Sequence, residues 1–172
     1  MTYTIKFKDG STKEFESLAG QDLRSATNLR ELDLQGKDLS YSNFSHCDLS
    51  HCDLSHCDLS NCNLSHCDLS YTELYYSTLY CSDLSHSNLT ESDLTGAILR
   101  KAICDYANLS HTLLKNTDLL QASMRGAVLP DYYKLDFQKA ESPSQSGCEP
   151  IKINGRTDTK AYVGTSLHLP IN

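Results

Sequence analysis

An all-β solenoid is the fold this sequence predicts, and three periodic registers predict it. Leucine falls on every fifth residue from Leu34 to Leu129, with only Phe44, Cys104 and Met124 standing in its place. Two residues before each runs a small residue: Cys47, Cys52, Cys57, Cys62 and Cys67, then mainly Ser, Thr and Ala as far as Ala127. Between them lies Asp or Asn, as at Asp48, Asp53, Asp58, Asn63 and Asp68. A period of five suits neither ordinary element. On an α-helix each successive leucine lands roughly 140° further round, so no apolar stripe forms. On a flat strand, leucines five apart point to opposite faces. A chain that turns a corner every five residues removes the conflict: the small residue and the leucine share the inside of a short strand. The Asp, and the Ser and polar residue at the corner, then face water. Stacked turns pair backbone with backbone at about 4.8 Å, and each buries its neighbours' leucines because none can bury its own.

The elements follow in order. Residues 1–31 form an N-terminal hairpin and cap: Tyr3, Ile5 and Phe7 alternate, KDGS supplies the turn, and Phe15 lies on the return strand. Leu23, Leu29 and Leu34 depart from the period by one inserted residue, as an irregular first coil would. Residues 32–130 are the repeat. Pro130 ends it, opening PDYYKLDFQKA, and residues 131–172 comprise a second cap, a linker (ESPSQSG) and a short β tail turning at NGR. Both ends of a stacked β-helix are templates for unwanted strand pairing, which is why caps are expected there.

Runs such as SHCDLSHCDLSHCDLSNCNLSHCDLS and LTESDLTGAILRKAICDYANLS resemble the pentapeptide repeat family over roughly residues 32 to 129. The resemblance implies a right-handed, four-sided parallel β-helix with four repeats per coil, hence about five coils and a rod roughly 25 Å long. The family's usual residue two before the centre is Ala, so five consecutive Cys are a departure. With four repeats per coil, residues twenty apart stack on one side.

Composition narrows the function. No apolar run is long enough to span a membrane, and the first residues lack a secretory signal's apolar stretch, so a cytoplasmic, reducing setting with free thiols is expected. The net charge of −7 is uneven: residues 31–94 hold eleven acids against the single base Lys37, whereas residues 95–134 hold five bases and three acids. Phosphate binding needs clustered Lys and Arg, so direct nucleic-acid binding is not expected. A basic protein surface suits such a rod better.

No enzyme is expected, and no cofactor. Asp48, Ser50 and His51 recur as a Ser–His–Asp set, yet copies of a motif round a convex rod offer no cleft or oxyanion hole. The His46, His66 and His86 column and the ring of Cys47, Cys52, Cys57 and Cys62 contain zinc-ligand types, but ordinary corner and core residues account for both, and no metal site is expected. The candidate partner-binding residues are the acids Asp33, Asp53, Glu73 and Asp93 on one column, Asp38 and Asp58 on the next, and Asp48 and Asp68 on a third. To these are added the outward tyrosines Tyr71, Tyr75, Tyr76 and Tyr80, an interface to a partner or a second copy forming a homodimer. Members of the resembled family that bind DNA gyrase present such a rod as a mimic of duplex DNA, which implies a type II topoisomerase or another DNA-binding protein as partner. The alternative is a structural spacer or assembly scaffold whose tail after Cys148 makes the specific contact.

Overall fold

The computed structural model describes residues 2–131, 152–153 and 156–157. Strands β1 (Tyr3–Lys6) and β2 (Thr12–Phe15) pair antiparallel, Tyr3 opposite Phe15 and Lys6 opposite Thr12. The hairpin is tied to the first coil by an antiparallel bridge between Phe7 and Ala26. Asn28 fastens it further, accepting the Lys6 N–H and donating to the Thr4 carbonyl, each at 2.9 Å. Ile5 enters the core with no exposure, continuous with Leu18 and Leu23.

From there the chain is a right-handed quadrilateral β-helix. Asp53 bridges Glu73, Glu73 bridges Asp93 and Asp93 bridges Leu113, all parallel and twenty residues apart, and the other three sides repeat this. Each side exchanges three backbone bonds with the next coil: Leu49 N–H to the Asp68 carbonyl at 2.8 Å, Asp68 N–H to that of Cys47 at 3.0 Å, and His51 N–H to that of Ser70 at 3.0 Å. The first coil is one residue longer, Asp22 bridging Asn43, and a 3₁₀ turn at Leu29–Glu31 lies in that interval.

The corners explain how a flat period becomes a square. The Cys52 N–H bonds the Leu49 carbonyl at 3.1 Å, and His51 between them has φ of +59°. A positive φ at the third residue marks a type II turn. Sixteen non-glycine residues, from Tyr41 to Gln121, adopt this left-handed conformation at such corners. Each costs about 1–2 kcal/mol in isolation, so the stacked ladder and the buried leucines must offset it. The Asp register supplies part of that offset: Asp48 Oδ1 accepts the Ser50 N–H at 3.0 Å and the Ser50 hydroxyl at 2.6 Å, and Asp38, Asp53 and Asn63 repeat the pair. Asn serves as well as Asp, so the turn needs the carbonyl-like oxygen and not the charge.

The leucine positions from Leu34 to Leu109 are buried with at most 1% exposure. The small register faces the same interior, where its thiols and hydroxyls satisfy carbonyls: Cys62 Sγ donates to Leu39 O at 3.0 Å, Thr72 to Leu49 O at 3.0 Å and Ser77 to Leu74 O at 2.6 Å. One expectation is corrected. Ser45, Ser50 and Ser55 do not face water but are buried, Ser50 and Ser55 because their hydroxyls fold back onto the preceding Asp, and Ser55 also because Gln35 donates to it from the neighbouring coil. In the C-terminal stretch, strands β3 (Lys152–Ile153) and β4 (Arg156–Thr157) pair antiparallel. The second cap, the linker and Cys148 lie outside the described residues.

Candidate functional site

The four sides of the rod differ in charge. The first carries Asp53, Glu73 and Asp93 in register and then Leu113. Asp33 belongs to the same sequence register but is not bridged to Asp53, and its carboxylate lies 3.8 Å from Lys37 Nζ. The second carries Asp38, Asp58, Thr78, Ile98 and Asp118, the third Asn43, Asn63, Asp83, Ile103 and Ser123, and the fourth Asp48, Asp68, Asn88, Asn108 and Val128. All the candidate acids are exposed except Asp93, which is half-buried. In Asp38, Asp53, Asp58, Asp68 and Asp93 the turn uses Oδ1, and among the described residues Oδ2 takes no bond. One oxygen holds the corner and the other is left for solvent or a partner. Asp48 differs, its Oδ2 lying 3.5 Å from Arg30. Burial acts to raise the Asp48 carboxyl, but the Ser50 hydroxyl and N–H together with Arg30 outweigh it and hold it below the usual range.

The tyrosines do not form one patch. Tyr75 and Tyr76 meet edge-to-face at 6.2 Å and share His56, Tyr71 stacks on His51 at 4.9 Å round another corner, and Tyr80 meets Lys101. Tyr76 is 62% exposed yet well seated. Gly96 lies beneath it at φ +69°, and a Cβ there would come within 2.6 Å of the ring. Gly126 gives Tyr106 the same seat.

The imidazoles of His46, His66 and His86 stack at 4.8 Å with planes within 7° of parallel, and Tyr106 continues the stack at 5.1 Å. Parallel rings present their nitrogens side by side instead of toward a common point, which is the wrong arrangement for a tetrahedral ion. No group of three or more His, Cys, Asp or Glu among the described residues is placed to hold a metal. As for a triad, the Ser50 hydroxyl is donated to Asp48, whereas a nucleophile needs its proton directed at an imidazole. Two shallow clefts of about 400 Å³ are lined by residues of the first coils, one by Lys8 and Lys13 of the hairpin with Asp22, Arg24 and His46, and the other by Arg30, Glu31, Asp48 and His51.

Burial keeps the inward thiols protonated. Burial pushes Cys47 up to about 11 and Cys52, Cys62, Cys67 and Cys104 up to about 12. A thiolate is the reactive species, so a thiol reagent at neutral pH is expected to modify half-buried Cys81 well before these five. Counting released chromophore against time checks this, and fast modification of the five would mean that the core opens.

A parallel β-helix built from stacked five-residue repeats defines a class, the repeat solenoid. The family model for pentapeptide repeats matches in eight copies over residues 25–55, 47–80, 79–116 and 102–131, and the chain belongs to that family. A pentapeptide repeat protein of the Arabidopsis thaliana thylakoid lumen is 27% identical, over 62% of this chain and 77% of its own, with a TM-score of 0.55. HetL of Nostoc sp. strain PCC 7120, a pentapeptide repeat protein involved in heterocyst differentiation regulation, is 26% identical over 67% of this chain and 60% of its own, with a TM-score of 0.54. The fluoroquinolone resistance protein QnrB1 aligns at 14% identity and a TM-score of 0.20, a distance at which nothing about a target follows. No curated protein matches the sequence. Among the described residues no helix is long and apolar enough to cross a membrane.

Proposed function

We propose that this protein is a non-enzymatic binding rod whose acidic side occupies a basic, DNA-binding groove of another protein, with a type II topoisomerase such as DNA gyrase the specific partner to test. The observation that carries the reading is the Asp53–Glu73–Asp93 column: three acids in register along one side, about 4.8 Å per coil, with no base among them. Asn43, Asn63, Asn88 and Asn108 make the same turns on other sides without charge, so the acids on this side are more than the fold requires. Like charges so close repel and cost stability, which a basic partner would recover. The Oδ2 atoms of Asp53 and Asp93, which the turns leave unused, are the contacts such a partner would use.

The test is supercoiling by purified gyrase with and without the protein, beside a variant carrying D33N, D53N, E73Q and D93N. The amide side chains retain an oxygen for the corner bonds, so the variant is expected to melt within a few degrees of the wild type. Inhibition is expected from the wild type at micromolar concentration, weakening as salt rises, with at least a tenfold loss in the variant. No inhibition by the wild type at tens of micromolar removes gyrase as the partner. Inhibition retained by the variant moves the contact off this column.

A further inference from the structure

We propose that the cleft formed by the N-terminal hairpin and the first coils binds a phosphate monoester, held as a dianion by Lys8, Lys13 and Arg24. At about 400 Å³ it falls within the roughly 300–1,000 Å³ of small-molecule sites. The hairpin supplies one wall and the coils the other. The Lys8 N–H donates to the Ser25 carbonyl at 2.9 Å and Phe7 bridges Ala26, which fixes Lys8 and Lys13 beside the stretch that carries Asp22 and Arg24. One coil on, His46 completes the lining, its ring stacked on His66 at 4.8 Å.

Charge selects the ligand. Lys8, Lys13 and Arg24 line the cleft against the single carboxylate of Asp22, a surplus of two positive charges with His46 neutral. A phosphate monoester carries about −1.5 to −2 at neutral pH and offers three acceptor oxygens, so one such group neutralises the surplus. A lone carboxylate would leave a cation unmet. The surplus stands on a chain whose net charge is −7. The second cleft, of the same size, sets Arg30 against both Glu31 and Asp48 and so disfavours an anion.

The bases are also available. Among the described residues neither Lys8 nor Lys13 takes part in an ion pair. Lys13 rests instead over the Phe7 ring, its Nζ 5.4 Å from the centroid. Asp9 in the hairpin turn does not line the cleft: it is folded onto Ser11, accepting the N–H at 2.9 Å and the hydroxyl at 2.6 Å. Arg24 is bound along one edge of its guanidinium, Nε to Asp22 Oδ1 at 2.9 Å and Nη2 to Oδ2 at 2.7 Å, and Nη1 takes no bond among the described residues. Asp22 is thus a fork-bound oxyanion of the kind the ligand would be, and its competitor for Arg24. Half-buried Phe7 gives the organic part of the ester an apolar wall.

Nuclear magnetic resonance titration of the isotope-labelled chain at constant ionic strength checks this, with phenyl phosphate, inorganic phosphate and benzoate as probes. Phenyl phosphate is expected to shift the Lys8, Ser25 and His46 amides saturably, with a Kd of about 1 mM or below. Inorganic phosphate, lacking the ring, binds more weakly, and benzoate, with one charge, roughly tenfold more weakly than phenyl phosphate. Replacing both lysines, K8A with K13A, is expected to weaken phenyl phosphate roughly tenfold. D22N is expected to tighten it roughly threefold by freeing Arg24 and removing a like charge, while its amide oxygen still serves the Arg24 N–H. R30A, in the second cleft, should change nothing. All four side chains are exposed, so the rest of the spectrum is expected to stay in place. A phosphotyrosine peptide that binds more tightly than phenyl phosphate places the ester on a partner protein, and equal affinity places it on a small molecule. No saturable shift, binding that the double lysine variant retains, D22N that fails to tighten, or a loss in R30A overturns the proposal. These readings use no topoisomerase, so they stand apart from the supercoiling result.

Discussion

Leu64→Asp is expected to abolish the fold. Leu64 is fully buried in the third coil position of its side, with Phe44 and Leu84 above and below it in the same register. A carboxylate there would meet apolar side chains on all four walls, and an uncompensated buried charge costs several kcal/mol, comparable with the 5–15 kcal/mol that separates folded from unfolded domains. The same charge placed three residues earlier, by Asn61→Asp, sits on an exposed corner at φ +58°, a conformation Asp tolerates, and is expected to change stability by less than about 0.5 kcal/mol. Far-ultraviolet circular dichroism and thermal melts of the two variants check this. A folded Leu64→Asp rod, or equal loss in both, would mean that the inward register is misassigned.

Asp105→Ala is expected to loosen the C-terminal coils in a pH-dependent way. Asp105 stands where the repeat usually has Ser, is 8% exposed, and binds one coil along: it accepts from the Ser123 hydroxyl, from the Arg125 N–H at 3.0 Å and from the Arg125 guanidinium at 2.8 Å. Burial alone would raise this carboxyl, but the Ser123 hydroxyl and the Arg125 contacts outweigh it and hold it below the ordinary value. Removing a mostly buried charged acceptor costs about 1–3 kcal/mol, or about 3–10 °C for a chain of this size. Because the folded-state pKa is depressed, the stabilisation is fully present above the unfolded value of about 3.9 and is lost as pH falls through the folded one. The gap in melting temperature between wild type and variant is therefore expected to be widest above the unfolded value and to narrow as pH falls below it. A gap independent of pH would assign the loss to packing rather than to the ion pair.

The interior was legible in the sequence. A leucine every fifth residue and a small residue two before it are chemical statements about what is withdrawn from water, and the leucine register is buried from Leu34 to Met124 and the small register from Ser42 to Thr112. The turn residues were legible for the same reason, since Asp–Leu–Ser carries its own hydrogen bonds within three residues. The surface was less so. Tyr71, Tyr75, Tyr76 and Tyr80 look like one cluster along the chain, but with a corner every five residues they divide among three corners, and only Tyr75 and Tyr76 touch. Neighbours in space on this rod are twenty residues apart, so the pairs that matter, such as Asp105 with Arg125 and Tyr76 with Gly96, have no local signal. Nor did the Ser register show its burial, because whether a hydroxyl at a corner is covered depends on the coil beside it. What the sequence did carry, unread, was Ile98, Ile103, Leu113 and Val128 in place of Asp, the sign that the rod changes from acidic to apolar along its length. The sequence alone determined which residues the chain hides, because hydrophobicity is a property of each side chain. Tertiary structure decided which outward residues share a side, because that depends on the number of corners in a coil, a quantity set by how stacked backbones close on one another.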